Sequence, residues 1–414
     1  MYRKPLIASG LCAGNGEGAT PKHHIMASFP QAVSSTNHLP LHLTQMTENT
    51  KDIHLSSHPR VLSGMRPTGR LHLGNYMGAL YNWVRLQDQY DCYFFIADLH
   101  ALTTDYADPK TLRGNIRDVA LDFLASGLDP ERSTIFIQSH VPQHAELHTL
   151  FSMFTPLPWL ERVPTYKDQQ EQLREKDLNT YGFLGYPLLQ SADILLYQPD
   201  FVPVGQDQFA HVELTREVAR RFNTLYCSAP TPAIEKARAD HSDKEIIEAE
   251  IAANNVTEGI LPEPKVLLTP SPKLPGLDGR KMSKSYGNTI MLTEPEADLR
   301  AKLKTMVTDP ARIRRTDKGN PDVCPVFDLH KVFSTSEVQS EAAEGCRTAG
   351  IGCIQCKGWL ADSIVREITP IQERRRALEA NPGEVDAILW DGSARARRRA
   401  IQTLQHVRQA MGLE

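Results

Sequence analysis

The chain has 414 residues, of which 41% are hydrophobic and 23% charged, with a formal net charge of −4. This balance is that of an ordinary globular protein. It gives no general affinity for nucleic acid, so any such contact must come from local basic patches. No apolar run approaches the roughly 20 residues of a membrane-spanning helix, and the length predicts two domains with appendages.

Residues 1–57 are rich in Gly, Ala, Ser, Pro and His and lack sustained periodicity. We expect a disordered extension, and Met26 and Met46 offer alternative starts that would make the assigned start overlong. The segment lacks the apolar core of a secretory signal. We therefore expect a cytoplasmic protein, in which disulfides rarely persist.

From residue 58 the pattern alternates between strands and helices. "RVLSGM" predicts a strand, after which Leu73, Met77, Leu80 and Val84 recur at helical spacing. "CYFFIADLH" and "STIFIQS" predict two more buried strands, separated by a helix that Gly127 would end. This order predicts an α/β fold with a Rossmann-type doubly wound parallel sheet.

Two further regions complete the predicted organisation. Residues 227–262 are charged and Pro-rich, and predict an insertion in a catalytic domain that covers residues 58–300. The periodicity then becomes helical almost to the end of the chain, which predicts a C-terminal all-helical domain over residues 301–414. Arginines cluster within it at 312–315, 374–376 and 395–399.

Two short motifs carry the chemistry. "HLGN", His72 to Asn75, precedes the first helix, where glycine lets a polyphosphate approach the positive helix end. Taken alone, the same residues also suit simple helix capping. "KMSKS", Lys281 to Ser285, places two mobile cations and hydroxyls where they can hold a pyrophosphate leaving group. A solvated basic loop is the alternative for this motif on its own.

The pair resembles the HIGH and KMSKS motifs of class I aminoacyl-tRNA synthetases, which activate an amino acid with ATP and load it onto tRNA. Asn75 replaces the usual His, a departure that is common in the tryptophanyl branch. "RPTGRLHLGNYMGAL", "LERVPTYK", "YPLLQSADILLYQPDFVPVGQDQ" and "RKMSKSYGN" are similar to that branch. The resemblance runs from about residue 60 to the end, apart from the insertion. It implies ATP, L-tryptophan and tRNA(Trp) as partners, a homodimer, and no membrane.

The resemblance also implies residue roles in the ATP site. Catalytic contacts with the phosphates would come from His72, Asn75, Lys167, Lys281 and Lys284. The wider ATP site would comprise Arg66, Pro67, Thr68, Gly74, Asn75, Gly205, Gln206, Asp207, Leu274, Lys281, Met282, Ser283, Lys284 and Ser285. Within that set Leu274 would touch the adenine. Mg²⁺ would accompany the phosphates.

The tryptophan site implied by the resemblance comprises Tyr186, Gln190, Asp193 and Gln208. On residue type alone, Asp193 suits a helix cap or a surface position. The resemblance makes its carboxylate the acceptor for the indole N–H, which can only donate. A phenylalanine would leave that carboxylate unpaired, so the site would reject side chains that lack a donor.

The reaction implied by the resemblance needs no covalent enzyme intermediate. The tryptophan carboxylate attacks the α-phosphorus of ATP, giving tryptophanyl-adenylate and pyrophosphate. A hydroxyl of the terminal tRNA adenosine then takes the acyl group. The protein would supply positioning and charge.

Four of the seven cysteines, Cys324, Cys346, Cys353 and Cys356, form the pattern C-x21-C-x6-C-x2-C. In a cytosolic chain such spacing favours a metal over a disulfide. Spacing alone favours structural Zn²⁺, although the irregular remainder also suits a [4Fe–4S] cluster. "DPARIRRTDKGNPDVCP" and "EGCRTAGIGCIQCK" resemble a bacterial subset of tryptophanyl-tRNA synthetases with a [4Fe–4S] cluster. On that resemblance we expect iron–sulfur, with zinc as the alternative. The resemblance also implies that residues 301–414 form a tRNA anticodon-binding domain, in which the cluster would shape a basic surface at "RIRR", residues 312–315.

Two rival functions remain at this stage. A tyrosyl-tRNA synthetase would share the fold and the mechanism. A regulatory or redox-sensing paralogue would keep the fold and the cluster without charging tRNA. The presence of both ATP motifs together with Lys167 and Asp193 argues against the second rival.

Overall fold

The structure is a computed structural model that describes residues 58–167, 177–205, 208–227, 259–268 and 273–414. The extension over residues 1–57 lies outside the described residues, as does most of the predicted insertion. Gln206 and Asp207 of the expected ATP site also lie outside them.

The described chain contains five strands and a larger set of helices. The strands are β1 (Arg60–Met65), β2 (Asp91–Ile96), β3 (Ser133–Ile137), β4 (Phe201–Val204) and β5 (Lys265–Leu268). The helices before β5 are α1 (Leu73–Asn75), α2 (Tyr81–Leu86), α3 (Asp98–Asp105), α4 (Leu112–Ala125), α5 (Gln143–Ser152), α6 (Leu157–Glu161), α7 (Tyr181–Tyr197) and α8 (Phe209–Tyr226). Those after it are α9 (Glu296–Thr305), α10 (Pro325–Phe333), α11 (Ser336–Arg347), α12 (Cys353–Ala380) and α13 (Pro382–Ala410).

The strands form one parallel sheet in the order β3-β2-β1-β4-β5. From β1, the chain therefore adds β2 and β3 on one side of the sheet and then β4 and β5 on the other. The carboxyl ends of the strands open a crevice at the point where the direction changes, between β1 and β4. This order confirms the doubly wound sheet predicted from the sequence.

The first three strands and α4 follow from the apolar pattern. All five residues of β3 are buried, as expected for a strand covered on both faces. The ring of Trp83 on α2 stacks on Phe94 of β2, with centroids 4.8 Å apart. Gly127 has φ +108°, a left-handed conformation that favours glycine and ends the α4 segment as predicted.

The chain after residue 300 is helical, which confirms a helical C-terminal region. The predicted domain boundary at residue 300 falls inside α9, which packs against α12. Apolar periodicity in the sequence identifies helices, but it does not show where one domain ends and the next begins. None of the described helices is long and apolar enough to cross a bilayer.

The last helix, α13, lies directly against β3. A methyl group at Gly392 would overlap the carbonyl oxygen of Ile135, so glycine permits this close approach. The guanidinium of Arg395 donates to the carbonyl oxygens of Pro130, at 2.8 Å, and Ser133, at 3.3 Å. Part of the Arg-rich sequence therefore fixes α13 to the sheet.

Candidate active site

His72 and Asn75 close the start of α1 through reciprocal hydrogen bonds. The backbone N–H of Asn75 donates to Nδ1 of His72 at 3.3 Å, and that of His72 donates to Oδ1 of Asn75 at 3.2 Å. A methyl group at Gly74 would lie 2.9 Å from the imidazole, so glycine leaves room for this ring. Asn75 therefore completes a capping box at the helix end where a phosphate would sit.

The imidazole of His72 is surrounded by apolar and cationic groups. Burial lowers the pKa of His72 from 6.5 to about 4, and the nearby charges of Lys284 and Lys281 contribute to this shift. His72 is therefore neutral at pH 7. A neutral imidazole offers one N–H donor and one acceptor.

The KMSKS loop lies over this helix start. Met282 is buried in the core beneath the loop, whereas Lys281 is exposed. The ammonium of Lys284 donates to the carbonyl oxygen of Thr68 at 2.8 Å. Burial lowers the pKa of Lys284, and the negative charges of Asp122 and Asp118 partly oppose this effect.

Asn288, three residues after the motif, fixes the loop geometry. Its Oδ1 accepts from the backbone N–H of Ser283 at 2.8 Å. Its amide nitrogen donates to Asp278 at 2.7 Å and to the Lys281 carbonyl at 3.2 Å. The loop is therefore held at three points by one buried side chain.

Backbone hydrogen bonds join the two motif segments. The N–H of Leu73 donates to the carbonyl of Ile290, and the N–H of Leu292 donates to the carbonyl of Leu71, each at 2.9 Å. The residues before α1 and those after the KMSKS loop thus form one short antiparallel bridge. This arrangement brings His72, Lys281 and Lys284 to one site, as the sequence predicts.

A cavity of about 300 Å³ opens beside this site, at the carboxyl ends of β1 and β4. Tyr186, Gln190 and Asp193 line it from one face of α7, and Gln208 and Gly205 line it as well. All four expected tryptophan-site residues therefore line one cavity. Its volume lies at the lower end of the usual range for small-molecule sites.

Asp193 is fully buried and holds three side-chain donors. His144 Nδ1 and Gln138 Nε2 donate to its Oδ1, each at 2.7 Å, and His100 Nε2 donates to its Oδ2 at 2.8 Å. Burial alone would raise the pKa of Asp193, but His144 and His100 hold it well below its usual range. A carboxylate accepts about four hydrogen bonds, so Oδ2 retains one acceptor position.

Sequence reasoning missed the donors His100, Gln138 and His144. Each comes shortly after β2 or β3, in "IADLH" or "IQSHVPQH". Polar residues that follow parallel strands gather at one edge of the sheet, and this signal could have identified them.

Tyr186 is held by Thr165. The hydroxyl of Thr165 hydrogen-bonds the Tyr186 hydroxyl at 3.0 Å and also Nε2 of His211. Lys167, two residues further along, is exposed and directly precedes a segment outside the described residues. Its expected contact with the triphosphate stays a prediction.

Arg66 lies between this first cavity and a second cavity of about 410 Å³, and lines both. Its guanidinium donates to the Thr104 hydroxyl at 2.5 Å, and burial lowers its pKa. Pro67, Thr68 and Ser285 line the second cavity as well. A ligand with a phosphate in one cavity and an apolar ring in the other would pass over Arg66.

Leu274 is placed differently from the other expected ATP residues. Its side chain is 3% exposed and packs in the core with Leu73 and Met282. Its carbonyl accepts from the Met282 N–H at 2.9 Å. The structure therefore gives Leu274 a supporting position under the KMSKS loop, and the expected adenine contact stays a prediction.

The four cysteines converge at the start of α12. Burial raises the pKa of Cys356 to about 12, with further contributions from the nearby thiols of Cys324, Cys346 and Cys353. Burial raises the pKa of Cys346, and the nearby positive charge of Arg312 opposes this rise. All cysteines in the described ranges are free thiols, so none of these four forms a disulfide.

The surroundings of the thiols are crowded and cationic. A methyl group at Gly319 would lie 2.6 Å from Sγ of Cys346. Lys357 follows Cys356, and its buried ammonium donates to the carbonyls of Lys304, at 2.8 Å, and Met306, at 2.6 Å. In the described part of the chain, no three His, Cys, Asp or Glu side chains are spaced to hold one metal ion.

The chain matches a family model described as tRNA synthetases class I (W and Y) over residues 55–367. A tryptophan--tRNA ligase of Ralstonia nicotianae is 50% identical over 393 residues, which cover 86% of this chain and 98% of the relative. One from Thermotoga maritima is 48% identical over 356 residues, which cover 86% and 99%.

Solved structures agree with the sequence relatives. Tryptophanyl-tRNA synthetase from Campylobacter jejuni, complexed with ADP and tryptophan, superposes with a TM-score of 0.70 and 31% identity. The match covers 86% of this chain and 100% of that one. A tyrosyl-tRNA synthetase from Archaeoglobus fulgidus, at 20% identity and a TM-score of 0.54, shares the fold.

Proposed function

The chain belongs to the class I tryptophanyl-tRNA synthetases, and we propose from this premise the reaction and the residues that carry it. The reaction is the activation of L-tryptophan by ATP to tryptophanyl-adenylate, followed by transfer to tRNA(Trp). The main structural support is Asp193, a buried carboxylate in the lining of the cavity with one acceptor position left. An indole N–H satisfies that position.

Tryptophan binding then follows from the cavity. The indole N–H donates to Asp193 Oδ2, while Tyr186 and Gln190 flank the ring from the same helix. Gln208 also lines the cavity and supplies an amide for the amino-acid end. A phenylalanine would leave the buried carboxylate one donor short, and the site discriminates against it for that reason.

ATP enters as its magnesium complex, with the triphosphate at the start of α1. Neutral His72 donates a hydrogen bond to a phosphate oxygen, and the lysines of the KMSKS loop face the pyrophosphate that leaves. These groups act on charge that develops during the reaction, which is where fixed donors contribute most. The protein supplies position and charge and forms no covalent bond to the substrate.

Pyrophosphate exchange tests this proposal. The full chain should catalyse ATP–pyrophosphate exchange with tryptophan and charge tRNA(Trp). Exchange that is faster with tyrosine would identify the tyrosyl rival. Exchange without tRNA charging would favour a paralogue that has lost its translational role.

We further propose a cytoplasmic homodimer. Met153, Leu157 and Tyr181 expose 68%, 57% and 62% of their surface. A subunit contact that covered these side chains would remove apolar surface from water. Sedimentation at micromolar concentration measures the assembly. A monomer at that concentration would contradict the homodimer.

We also propose that Cys324, Cys346, Cys353 and Cys356 hold a [4Fe–4S] cluster, with structural Zn²⁺ as the alternative. Four thiols with Arg312 and Lys357 beside them suit an anionic cluster, whose charge these cations would offset. The cluster would tie the start of α12 to the α10 and α11 segments, and no step of the reaction passes through it.

Iron, acid-labile sulfide and zinc should be assayed together on the full chain purified anaerobically. About four irons and four sulfides per chain are expected for the cluster. Stoichiometric zinc without sulfide would instead establish a zinc site. Three or more of the thiols would then have to move closer together, because no three such side chains in the described chain are spaced to hold one ion.

A further inference from the structure

Helix α12 carries a buried arginine that packs against α4 of the catalytic domain. Arg375 is 3% exposed, and its guanidinium contacts both Asp122 and Asp118 of α4, the latter at 2.5 Å. It also pairs with Glu379 of its own helix at 2.9 Å. A planar guanidinium that meets carboxylates in this way fixes their orientation.

The contact continues to the HLGN loop through Asp122, which is fully buried. Its second oxygen, Oδ2, accepts from the backbone N–H of Leu71 at 2.7 Å. Leu71 directly precedes His72, and its own carbonyl accepts from Leu292 beyond the KMSKS loop. One carboxylate therefore joins α12 to the backbone that carries His72.

Two more side chains of α12 reach the same region. Glu367 accepts from the hydroxyl of Tyr76, next to Asn75, at 2.6 Å. The amide of Gln372 donates to the carbonyls of Leu292 and Glu294, each at 2.9 Å. The helix thus contacts both segments that form the nucleotide site.

We propose that Arg375 is a positioning residue for ATP activation, acting through Asp122 to set the backbone of Leu71 and so the place of His72. The inference rests on the proposed function for its substrate, while the contact itself lies within this chain. Small displacements of the groups that contact the phosphates weaken the binding of ATP and also slow its reaction. A link of this kind acts on ATP and leaves the tryptophan cavity, lined from α7, largely unaffected.

The proposal is tested by measuring KM separately for ATP and for tryptophan. Replacing Arg375→Met should raise KM for ATP in pyrophosphate exchange by at least about tenfold. KM for tryptophan should stay within about twofold of the wild type. Arg375→Lys, which keeps a cation beside Asp122, should recover part of the loss. Arg376→Met on the exposed side of the same helix is the matched control and should behave as wild type.

The single variant leaves Asp122 buried without its cation and can fail to fold. The double variant Asp122→Leu/Arg375→Met removes both charges and still lacks the acceptor for Leu71. It should fold and show the same selective rise in KM for ATP. A folded double variant with wild-type KM for ATP, or equal changes in both KM values, would overturn the inference.

Hydrogen exchange provides a readout that does not depend on activity. The backbone amide of Leu71 should lose protection in the double variant, while amides of α7 keep theirs. If the wild type shows no tryptophan-dependent pyrophosphate exchange, the proposed function fails. The hydrogen-exchange measurement then decides alone whether Arg375 positions the backbone of Leu71. Unchanged protection at Leu71 would overturn it.

Discussion

The ammonium nitrogen of Lys284 lies 2.8 Å from the carbonyl oxygen of Thr68 and donates a hydrogen bond to it. The KMSKS loop is thereby closed onto the loop that follows β1. A phosphate that arrives between them offers Lys284 a charged acceptor in place of a neutral carbonyl. Hydrogen bonds to charged acceptors are stronger, so the exchange of partners favours the ligand.

Lys284→Gln should lower kcat of pyrophosphate exchange by about 10²-fold, the size of effect seen when a donor to developing charge is removed. KM for tryptophan should change little, because Lys284 does not line the tryptophan cavity. Lys331→Gln serves as a control cation outside the site, where it pairs with Asp328 of its own helix. Equal losses in both variants would contradict a specific role.

The pKa of His72 should be measurable by NMR titration of its imidazole, with a midpoint near 4. The unfolded chain binds a proton at this residue below about pH 6.5, whereas the folded chain does so only near pH 4. The contribution of His72 to stability is therefore complete above pH 6.5 and is lost as the pH falls toward 4. Lys284→Gln should move the midpoint upward, and a wild-type midpoint near 6.5 would refute the burial argument.

Asp193→Asn keeps the shape of the side chain but removes its charge and turns one acceptor into a donor. We expect kcat/KM for tryptophan to fall about 10- to 100-fold, since a hydrogen bond to a charged group contributes about 1.5–3 kcal/mol. His100 and His144 also lose a charged partner, so the melting temperature should fall. Asp200→Asn, which lies outside the cavity, should leave tryptophan kinetics unchanged. An undiminished kcat/KM in Asp193→Asn would remove this residue from recognition.

Gly276→Ala tests the geometry of the KMSKS loop. A methyl group there would lie 2.7 Å from the Asn288 carbonyl oxygen and overlap its side chain, so the loop must shift. We expect a fall in kcat of about 10²-fold with little change in tryptophan affinity. Gly383→Ala, where a methyl group meets open space, is the matched control. Wild-type turnover in Gly276→Ala would show that the Asn288 contacts are not needed.

Cys353→Ser should weaken tRNA charging more than adenylate formation. Cys353 opens α12 beside Arg315, whose side chain lies 3.9 Å from the position of a methyl group on Gly352. Loss of a thiol should therefore alter the basic surface around Arg315 first, and should affect the distant nucleotide site less. Both activities should be compared on one preparation, together with iron content. Equal loss of both activities would count against a role at the tRNA surface.

The sheet and the motif loops were predictable because short-range signals specify them. Buried runs such as "STIFI" and the glycines at 74 and 127 report local backbone requirements. The donors around Asp193 could be predicted only as polar residues at the ends of neighbouring strands. Their pairing with Asp193 could not, since His100 and His144 meet it only after three strands align. The same applies to Arg375, which looks like a surface arginine in "QERRRALEA" but is buried against α4.

The arginines of the C-terminal region show the limit of charge patterns most clearly. Arg395 and Arg399 are anchored to Pro130 and Gln198 inside the molecule. A run of basic residues predicts a polyanion partner only when the side chains remain available. Three-dimensional contacts decide that, and sequence periodicity does not report them.

The close packing of Gly392 against Ile135 also bears on self-association of the protein. β3 is a terminal strand, and an uncovered terminal strand offers its peptide groups to strands of other molecules. Helix α13 occupies that border and so shields the sheet from self-association. A chain ending before Pro382 would present this border to its neighbours, and we expect it to precipitate as it leaves the ribosome.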